Sequence, residues 1–223
     1  MNERPILMSA PMVRAILGGI KTQTRRPVRP MKHPYGHWLS VDDVVSEWTG
    51  GTGAVSCPFG RKGYRLWVRE TWCETDNADN VPVIAYRAGG CIAIGRSSAP
   101  NAPDYLIHAY RWDDTPEPDA HGWRPSIHMP RWASRITLEI TNVRVERLNE
   151  ISEADAIAEG IEQTDPFFGC HCWRDYMEAD AEAASFPDDP VGSYASLWES
   201  LHGPDSWEQN PWVWAIEFRR VDP

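Results

Sequence analysis

The sequence predicts an α+β fold, a small mixed β-barrel with short helices acting as plugs. Alternating apolar residues mark several strands, and three short helices lie between them along the chain. Strands that predominate over dispersed short helices favour this architecture. The 223 residues fit one domain with generous insertions, or one domain with a small added lobe.

The N-terminal part of the chain is expected to form a strand, a helix and a second strand. Apolar residues at 5–8 predict the first strand. Ser9 can cap the following helix, and Gly18 and Gly19 can end it because glycine accepts the backbone conformations that stop a helix. The segment 21–26 is then expected to be a loop that enters the next strand.

Further strands are predicted by alternation of apolar and polar residues, which is clearest at 135–147. The others lie at 65–72, 83–86 and 213–221. A helix capped by Ser152 is expected to end near Gly160, and a helix at 193–201, with Leu201 on its apolar face, is expected to end at Gly203. Turn-forming or acidic composition without a clear period predicts insertions at 27–63 and 163–190.

The charge distribution limits the partners to be expected. A net charge of -10 argues against a general binder of DNA or other polyanions, because such affinity comes mostly from Lys and Arg. Between residues 4 and 40, however, there are seven basic residues and no acidic one, whereas 148–208 holds fifteen acidic residues and only Arg174 as a base. This asymmetry indicates either a local anion site or two segments that pair with each other.

Targeting signals are not evident in the sequence. The N-terminus lacks a basic region followed by an apolar stretch, and no apolar run reaches 18 residues, so neither export nor a membrane span is expected. Five irregularly spaced cysteines fit reduced thiols in a cytoplasm. Adjacent Cys170-His171-Cys172 lacks the spacing of a structural zinc pair, so no metal and no cofactor are expected.

The segment Gly18-Gly19-Ile20-Lys21-Thr22-Gln23-Thr24-Arg25-Arg26 resembles the signature of the ASCH domain family. Further stretches at 66–72, 123–138, 143–160 and 210–220 are similar to ASCH proteins carried by bacteriophages and prophages. The resemblance implies a PUA-like small mixed β-barrel with short flanking helices. It implies a single domain over 1–223, with the two insertions at 27–63 and 163–190.

The resemblance also implies a site. Small bacterial members of the superfamily remove the acetyl group from N4-acetylcytidine with a Lys, a Thr and a Glu. Their Lys-Thr-x-Thr stretch matches Lys21 and Thr24, and their Glu, on a helix after the long strand, falls on Glu159. Arg26 matches a basic position there. This chain is much longer, and the usual Gly-Asp turn before the central strand is Gly63-Tyr64.

Amidase chemistry restricts where Lys21 and Thr24 can lie. A free hydroxyl is a weak nucleophile and needs a base, which a lysine can supply if burial lowers its pKa. Residues three apart on a regular strand face opposite sides, so these two can share a pocket only if Lys21 lies in the turn after Gly19. On the strand that follows, Thr24 and Arg26 would share a face.

Glu159 occupies an unfavourable position for a carboxylate, the last turn of a helix, where the dipole favours a cation. A residue retained there is a candidate acid or base. The alternative is a solvated side chain that pairs with Arg144 or Arg147.

Further residues are candidates for substrate binding. Glu70 shares a strand face with Leu66 and Val68, and such a buried Glu needs a partner, for which Lys21 or Arg26 is available. The full set of candidate binding residues is Arg25, Arg26, Glu70, Trp67, Arg131 and His128. Arg25, Arg26 and Arg29 could hold a phosphate or carboxylate through paired hydrogen bonds. The alternative, favoured for Arg29 and Lys32, is a solvated basic edge.

Three functional hypotheses follow, all with a nucleoside or RNA as ligand. The first is an amidohydrolase for N-acylated cytidine-type nucleosides, in which Thr24 attacks, Lys21 activates it or stabilises the oxyanion, and Glu159 transfers the proton. The second is a non-catalytic module that binds RNA or a modified nucleotide. The third is a ribonuclease, and a purely structural phage role is a further alternative. Fold resemblance alone does not decide among them.

Overall fold

The structure, a computed structural model, describes residues 2–51, 53–76, 82–93, 122–163, 172–177, 187 and 189–221. This part of the chain is α+β, with four α-helices and several sheets. It divides into two compact units. Unit 1 comprises Met1–Leu17, Tyr64–Glu139 and Arg220–Pro223, and unit 2 comprises Gly18–Gly63 and Ile140–Arg219. Within the described ranges, no helix is long and apolar enough to cross a membrane.

Unit 1 is built mainly from strands. Its elements are β1 (Glu3–Leu7), α1 (Ala10–Leu17), β5 (Arg65–Arg69), β6 (Trp72–Asp76), β7 (Pro82–Tyr86) and β8 (Cys91–Ala93). The strand β1 runs parallel to β5, with Ile6 opposite Val68, while β6, β7 and β8 form an antiparallel meander. Short 3-10 helices lie at Ser126–His128 and Arg131–Ala133.

The segment predicted as one strand at 65–72 is in fact two strands. Residues up to Arg69 pair with β1 and with the start of a long strand β9 (Thr137–Arg147), where Leu66 lies opposite Leu138. From Trp72 the chain pairs with β7 instead. The predicted alternation up to Glu70 is confirmed, because Leu66, Val68 and Glu70 are buried together. The sequence between Arg69 and Trp72 contains no glycine or proline that would indicate a break between two strands.

Unit 2 contains most of the helices. Its elements are β2 (Gln23–Pro27), β3 (Met31–Lys32), β4 (Trp38–Leu39), α2 (Val41–Thr49), α3 (Glu153–Ala158), α4 (Pro190–His202) and β10 (Trp212–Val221). The strand β9 starts in unit 1 and continues into unit 2, where the sheet order is β9-β10-β2. Antiparallel pairing places Thr24 of β2 opposite Ile216 of β10. The core joins α3, α4 and β10 through Ala156, Tyr194, Trp198 and Val213.

The predicted helix ends are mostly confirmed. Gly19, Gly160 and Gly203 all have positive φ angles, of 76°, 84° and 96°, as expected of residues that stop a helix. The helix α4 starts three residues early because Asp189 caps it, its side chain accepting from the Gly192 backbone. Leu201, expected on the apolar face, is instead exposed.

The helix α2 lies within the segment 27–63, where no helix was predicted. Ser40 and Asp43 form a reciprocal capping box at its start. Its apolar side of Val44, Val45 and Trp48 packs inward, and the Trp48 ring meets the Trp214 ring edge-on at 4.8 Å. The surrounding prolines and glycines hid this short helical period. The other expected insertion, 163–190, lies largely outside the described residues.

The N-cap of α3 depends on one side chain, that of Ser152, and can therefore be tested by a single substitution. The Ser152 side chain accepts a hydrogen bond from the Asp155 backbone at 3.2 Å. Ser152→Ala is expected to lower the free energy of unfolding by about 1 kcal/mol, measured by urea denaturation. Ser200→Ala, an exposed serine of α4, serves as control and should change it by less than about 0.5 kcal/mol. Equal effects would contradict the capping role.

Candidate functional site

A buried ion pair joins Lys21 to Glu159 in unit 2. The Lys21 Nζ donates to Glu159 Oε2 at 2.7 Å and to the Glu159 backbone carbonyl at 2.6 Å. Only 2% of Lys21 and 3% of Glu159 are exposed. Lys21 precedes β2, in the turn that follows Gly19, and the next residue, Thr22, donates its backbone N–H to Ala158 at 2.8 Å. The turn is therefore fastened to the end of α3, next to Glu159.

The helix α3 presents Glu159 from its C-terminus. Glu159 is the C-cap residue, and its backbone N–H donates to Asp155 at 2.9 Å. A carboxylate at this end lies in an unfavourable dipole field, which nearby cations must offset. The suggested partners Arg144 and Arg147 are wrong: the carboxylate pairs with Lys21 and Arg25 instead.

Arg25 links three carboxylates of the site. Its guanidinium donates to three carboxylates, those of Glu146 at 2.6 and 2.9 Å, Asp155 at 3.2 Å and Glu159 at 3.2 Å. A further bond reaches Gln23 Oε1 at 3.3 Å. A guanidinium has five N–H donors, and these five bonds use all of them. Arg25, predicted to bind substrate, thus already has an acceptor for every donor within the protein.

A second arginine extends the network on its outer side. Arg144 donates to Glu146 Oε2 and to Asp155 Oδ2, both at 2.6 Å, and also pairs with Glu217. Asp155 in addition accepts from the Gln23 amide at 2.7 Å. The network therefore connects β2, β9, α3 and β10, and most of its charges have more than one partner.

Strand alternation separates the side chains of β2 into two sets. Successive residues of a strand point to opposite faces, so Gln23 and Arg25 share one face and Thr24 and Arg26 share the other. The bonds of Gln23 and Arg25 to the same carboxylate, Asp155, agree with this. Thr24 is 1% exposed. Lys21 lies outside the strand, and the alternation therefore does not determine the direction of its long side chain.

The charges of the network shift the pKa values of its central pair. Burial lowers the pKa of the Lys21 ammonium, and the nearby Arg25 and Arg26 act in the same direction, against the attraction of Glu159. Burial would raise the pKa of the Glu159 carboxyl, but the charges of Lys21, Arg25 and Arg26 outweigh it and lower that pKa. The two shifts have different origins: burial is the main cause of the lowered Lys21 pKa, whereas the cations around the Glu159 carboxylate lower its pKa. Glu159 stays ionised, while Lys21 releases a proton more easily than an ordinary lysine.

Tyr194 is a component that sequence reasoning assigned only to the core. It is buried on α4, and the Arg25 guanidinium lies over its ring, 5.9 Å from the centroid. Burial and the Glu159 charge raise the pKa of its hydroxyl well above 10, so it remains a neutral phenol. A tyrosine among the apolar residues of a helix face was the available signal. For Glu146 the available signal was its place next to Val145 on β9, the strand with the clearest alternation of apolar and polar residues.

Glu70, Trp67, Arg131 and His128 belong to unit 1. Glu70 pairs through both oxygens with Arg135, each at 2.9 Å, so the suggested partners Lys21 and Arg26 are wrong. Trp67 lies under the guanidinium of Arg69, 5.2 Å from the ring centroid. Arg131 donates to Glu3 at 2.8 Å, and His128 is exposed in a 3-10 helix.

Within the described ranges, no group of three or more His, Cys, Asp or Glu side chains is placed to hold a metal ion. Cys170 and His171 of the Cys-His-Cys motif lie outside those ranges. Comparison with protein-family models, curated proteins and solved structures found no match to the chain.

Removing the central carboxylate is expected to destabilise the fold. Glu159→Gln leaves Lys21 and Arg25 buried without one of their counter-charges, which should lower the free energy of unfolding by about 3–5 kcal/mol. Glu162→Gln is the matched control, because Glu162 forms an exposed ion pair with Arg174 and should matter by less than about 1 kcal/mol. Urea denaturation of both variants measures the difference. A loss no larger than that of the control would contradict the network as a stabilising element.

The network also predicts the direction of acid sensitivity. The pKa of Asp155, like that of Glu159, is lowered: burial would raise it, but the Gln23 bond and the charges of Arg144 and Arg25 outweigh burial. A carboxyl with a lowered folded-state pKa stabilises the fold above its unfolded value, here 3.8 and 4.5, and loses this contribution as the pH falls through the folded value. Stability should therefore decline below about pH 4.5, and decline less in Glu159→Gln. If the free energy of unfolding fell equally with pH in the wild type and in Glu159→Gln, Glu159 would not be a source of the acid sensitivity.

Proposed function

We propose that unit 2 carries the active site of an ASCH-type amidohydrolase with a PUA-like barrel, acting on N-acylated cytidine-type nucleosides. The observation that carries the proposal is the buried Lys21–Glu159 pair, whose nitrogen and oxygen lie 2.7 Å apart. At this distance the carboxylate can stabilise the ammonium that forms when Lys21 accepts a proton. The similarity of segment 18–26 to the ASCH signature supplies the substrate class.

The lone pair of Lys21 is the base of the proposed reaction. A neutral amine has two N–H donors and one lone pair. Two bonds to Glu159, to its carboxylate and its carbonyl, use both donors and hold the amine in place. The lone pair is then left to accept a proton, and the lowered pKa of Lys21 favours this neutral form.

The proposed chemistry begins with attack of the Thr24 hydroxyl on the acyl carbon, and the hydroxyl proton moves to Lys21. An ester bond forms at Thr24, the bond from the acyl carbon to the exocyclic nitrogen breaks, and the nitrogen leaves as a neutral amine with the proton from Lys21. Water then hydrolyses the ester, which releases the acyl group as a carboxylic acid and restores the Thr24 hydroxyl. Glu159 keeps its negative charge throughout and stabilises the transient ammonium.

Arg25 holds the carboxylates in place and is not assigned a substrate contact. All five of its donors are bonded within the protein, and it holds Glu159 through Oε1, the carboxylate oxygen that Lys21 does not contact. The same observation gives a ribonuclease less support, because the network offers no free donor of Arg25 to a phosphate. Arg26 remains the proposed substrate-binding cation of this segment.

A second candidate is a non-catalytic module that binds a modified nucleoside. It is favoured by the alternation of β2, which directs Thr24 to the face opposite Gln23 and Arg25. In such a module the ion pairs would shape the pocket without proton transfer, and the hydroxyl of Thr24 would be dispensable for ligand affinity.

A hydrolysis assay on N4-acetylcytidine and related N-acylated nucleosides separates the two candidates. Lys21→Met should reduce kcat by about 10²- to 10⁴-fold, because it removes the proposed base. Thr24→Val, which keeps the shape of the side chain but removes the hydroxyl, should abolish turnover. Thr22→Val is the matched control: it makes the same change at an exposed threonine and should leave kcat unchanged. Each variant is first checked for folding by circular dichroism.

Either of two outcomes would contradict the amidohydrolase. One is a folded wild-type protein without turnover on any N-acylated nucleoside, and the other is turnover that survives in Thr24→Val. Saturable binding of the nucleoside without turnover would establish the non-catalytic module instead.

A further inference from the structure

The hairpin formed by β3 and β4 in unit 2 exposes two large aromatic side chains. Tyr35 is 89% exposed and Trp38 is 72% exposed. An aromatic ring buries up to about 150–250 Å² when it packs, so leaving both in water forgoes a large contribution to folding. The neighbouring Leu39 is buried, which shows that the hairpin also has an inward side.

The hairpin is held in one conformation by its own bonds. The His33 backbone N–H donates to His37, and the Gly36 N–H donates to His33, each at 2.8 Å. Gly36 has a φ of 97°, which closes the turn. His33 is buried, and its imidazole contacts two rings: it stacks on His37 with centroids 4.6 Å apart, and its centroid lies 4.9 Å from that of Tyr35. Tyr35 is thus exposed but positioned, and this lowers the entropic cost of using it for binding.

Cations accompany the exposed rings. The register of the hairpin places Lys32 directly opposite Trp38, so the ammonium and the indole share one face. Lys32 is exposed, and so is Arg29, which lies just before the hairpin. Lys21 and Arg25 of the same basic segment are buried, whereas Arg29 and Lys32 are exposed.

We propose that the β3–β4 hairpin is a binding surface for single-stranded RNA, with bases stacking on Tyr35 and Trp38 and phosphates contacting Lys32 and Arg29. Flat exposed rings next to cations match the alternation of base and phosphate along a single strand. A duplex would not suit this surface, because its bases are already stacked. The inference goes beyond the proposed amidohydrolase and does not depend on it.

The affinity of a fluorescein-labelled single-stranded RNA of about ten nucleotides, measured by anisotropy, tests the proposal. Trp38→Ala and Tyr35→Ala should each weaken binding by about 5- to 150-fold. Trp38→Phe should retain most of the affinity, whereas Trp38→Leu should lose it, because leucine keeps apolar area but has no ring. Two phosphate contacts predict a slope of log K against log salt of about -1.4, reduced by about 0.7 in Lys32→Gln.

Trp132→Ala is the control, because Trp132 is an exposed tryptophan of unit 1 and should leave RNA affinity unchanged. Equal affinity in Trp38→Leu and wild type would overturn the proposal. So would loss of binding to vesicles of phosphatidylserine and phosphatidylcholine in parallel with loss of RNA binding, which would identify the hairpin as a membrane-surface contact. Hydrolysis of free nucleoside is measured on the same variants, and it should be unaffected whether or not RNA binds.

Discussion

The bonds of Arg25 are the constraint on which the rest of the site depends. One guanidinium of β2 meets carboxylates of β9 and α3, and each of its donors has an acceptor. Removing such a cation from water is costly, and only nearly complete pairing offsets that cost. The positions of Glu146, Asp155 and Glu159 are therefore interdependent, since displacing any of them would leave a buried donor without an acceptor.

The burial that makes the network costly to form also makes proton transfer by its lysine easier. Several cations around one carboxylate keep Glu159 ionised, and burial, aided by Arg26 and Arg25, makes the charged form of Lys21 less favourable. A lysine of this kind can exchange protons at a pH where an ordinary lysine stays charged. The pair therefore links stability to proposed function. Glu159 stabilises the buried Lys21 in the folded protein, and it would also stabilise the positive charge of Lys21 during turnover.

Much of the architecture followed from local patterns. The long strand β9, the stop of α1 at Gly19 and the capped helix α3 were predicted because each depends on neighbouring residues. The contact between Lys21 and Glu159, two residues predicted to share a site, depended on the resemblance of the segment around Lys21. The partners of Arg25 and Glu70 were beyond local patterns, because they come from residues about 65 to 134 positions away. The helix α2 was missed because only one and a half turns of apolar pattern stand between glycines and prolines.

If burial makes Lys21 a proton-transfer group, its ammonium should lose its proton at a lower pH than an ordinary lysine does, and an NMR titration can follow this. The chain has only three lysines, so protein labelled with ¹³C at the lysine ε-carbon gives few signals, and Lys21→Met assigns the one of interest. We expect the Lys21 titration midpoint to lie below 10.5, the ordinary value for lysine. A midpoint at or above 10.5 would contradict it, because Lys21 would then be a charged member of a structural ion pair.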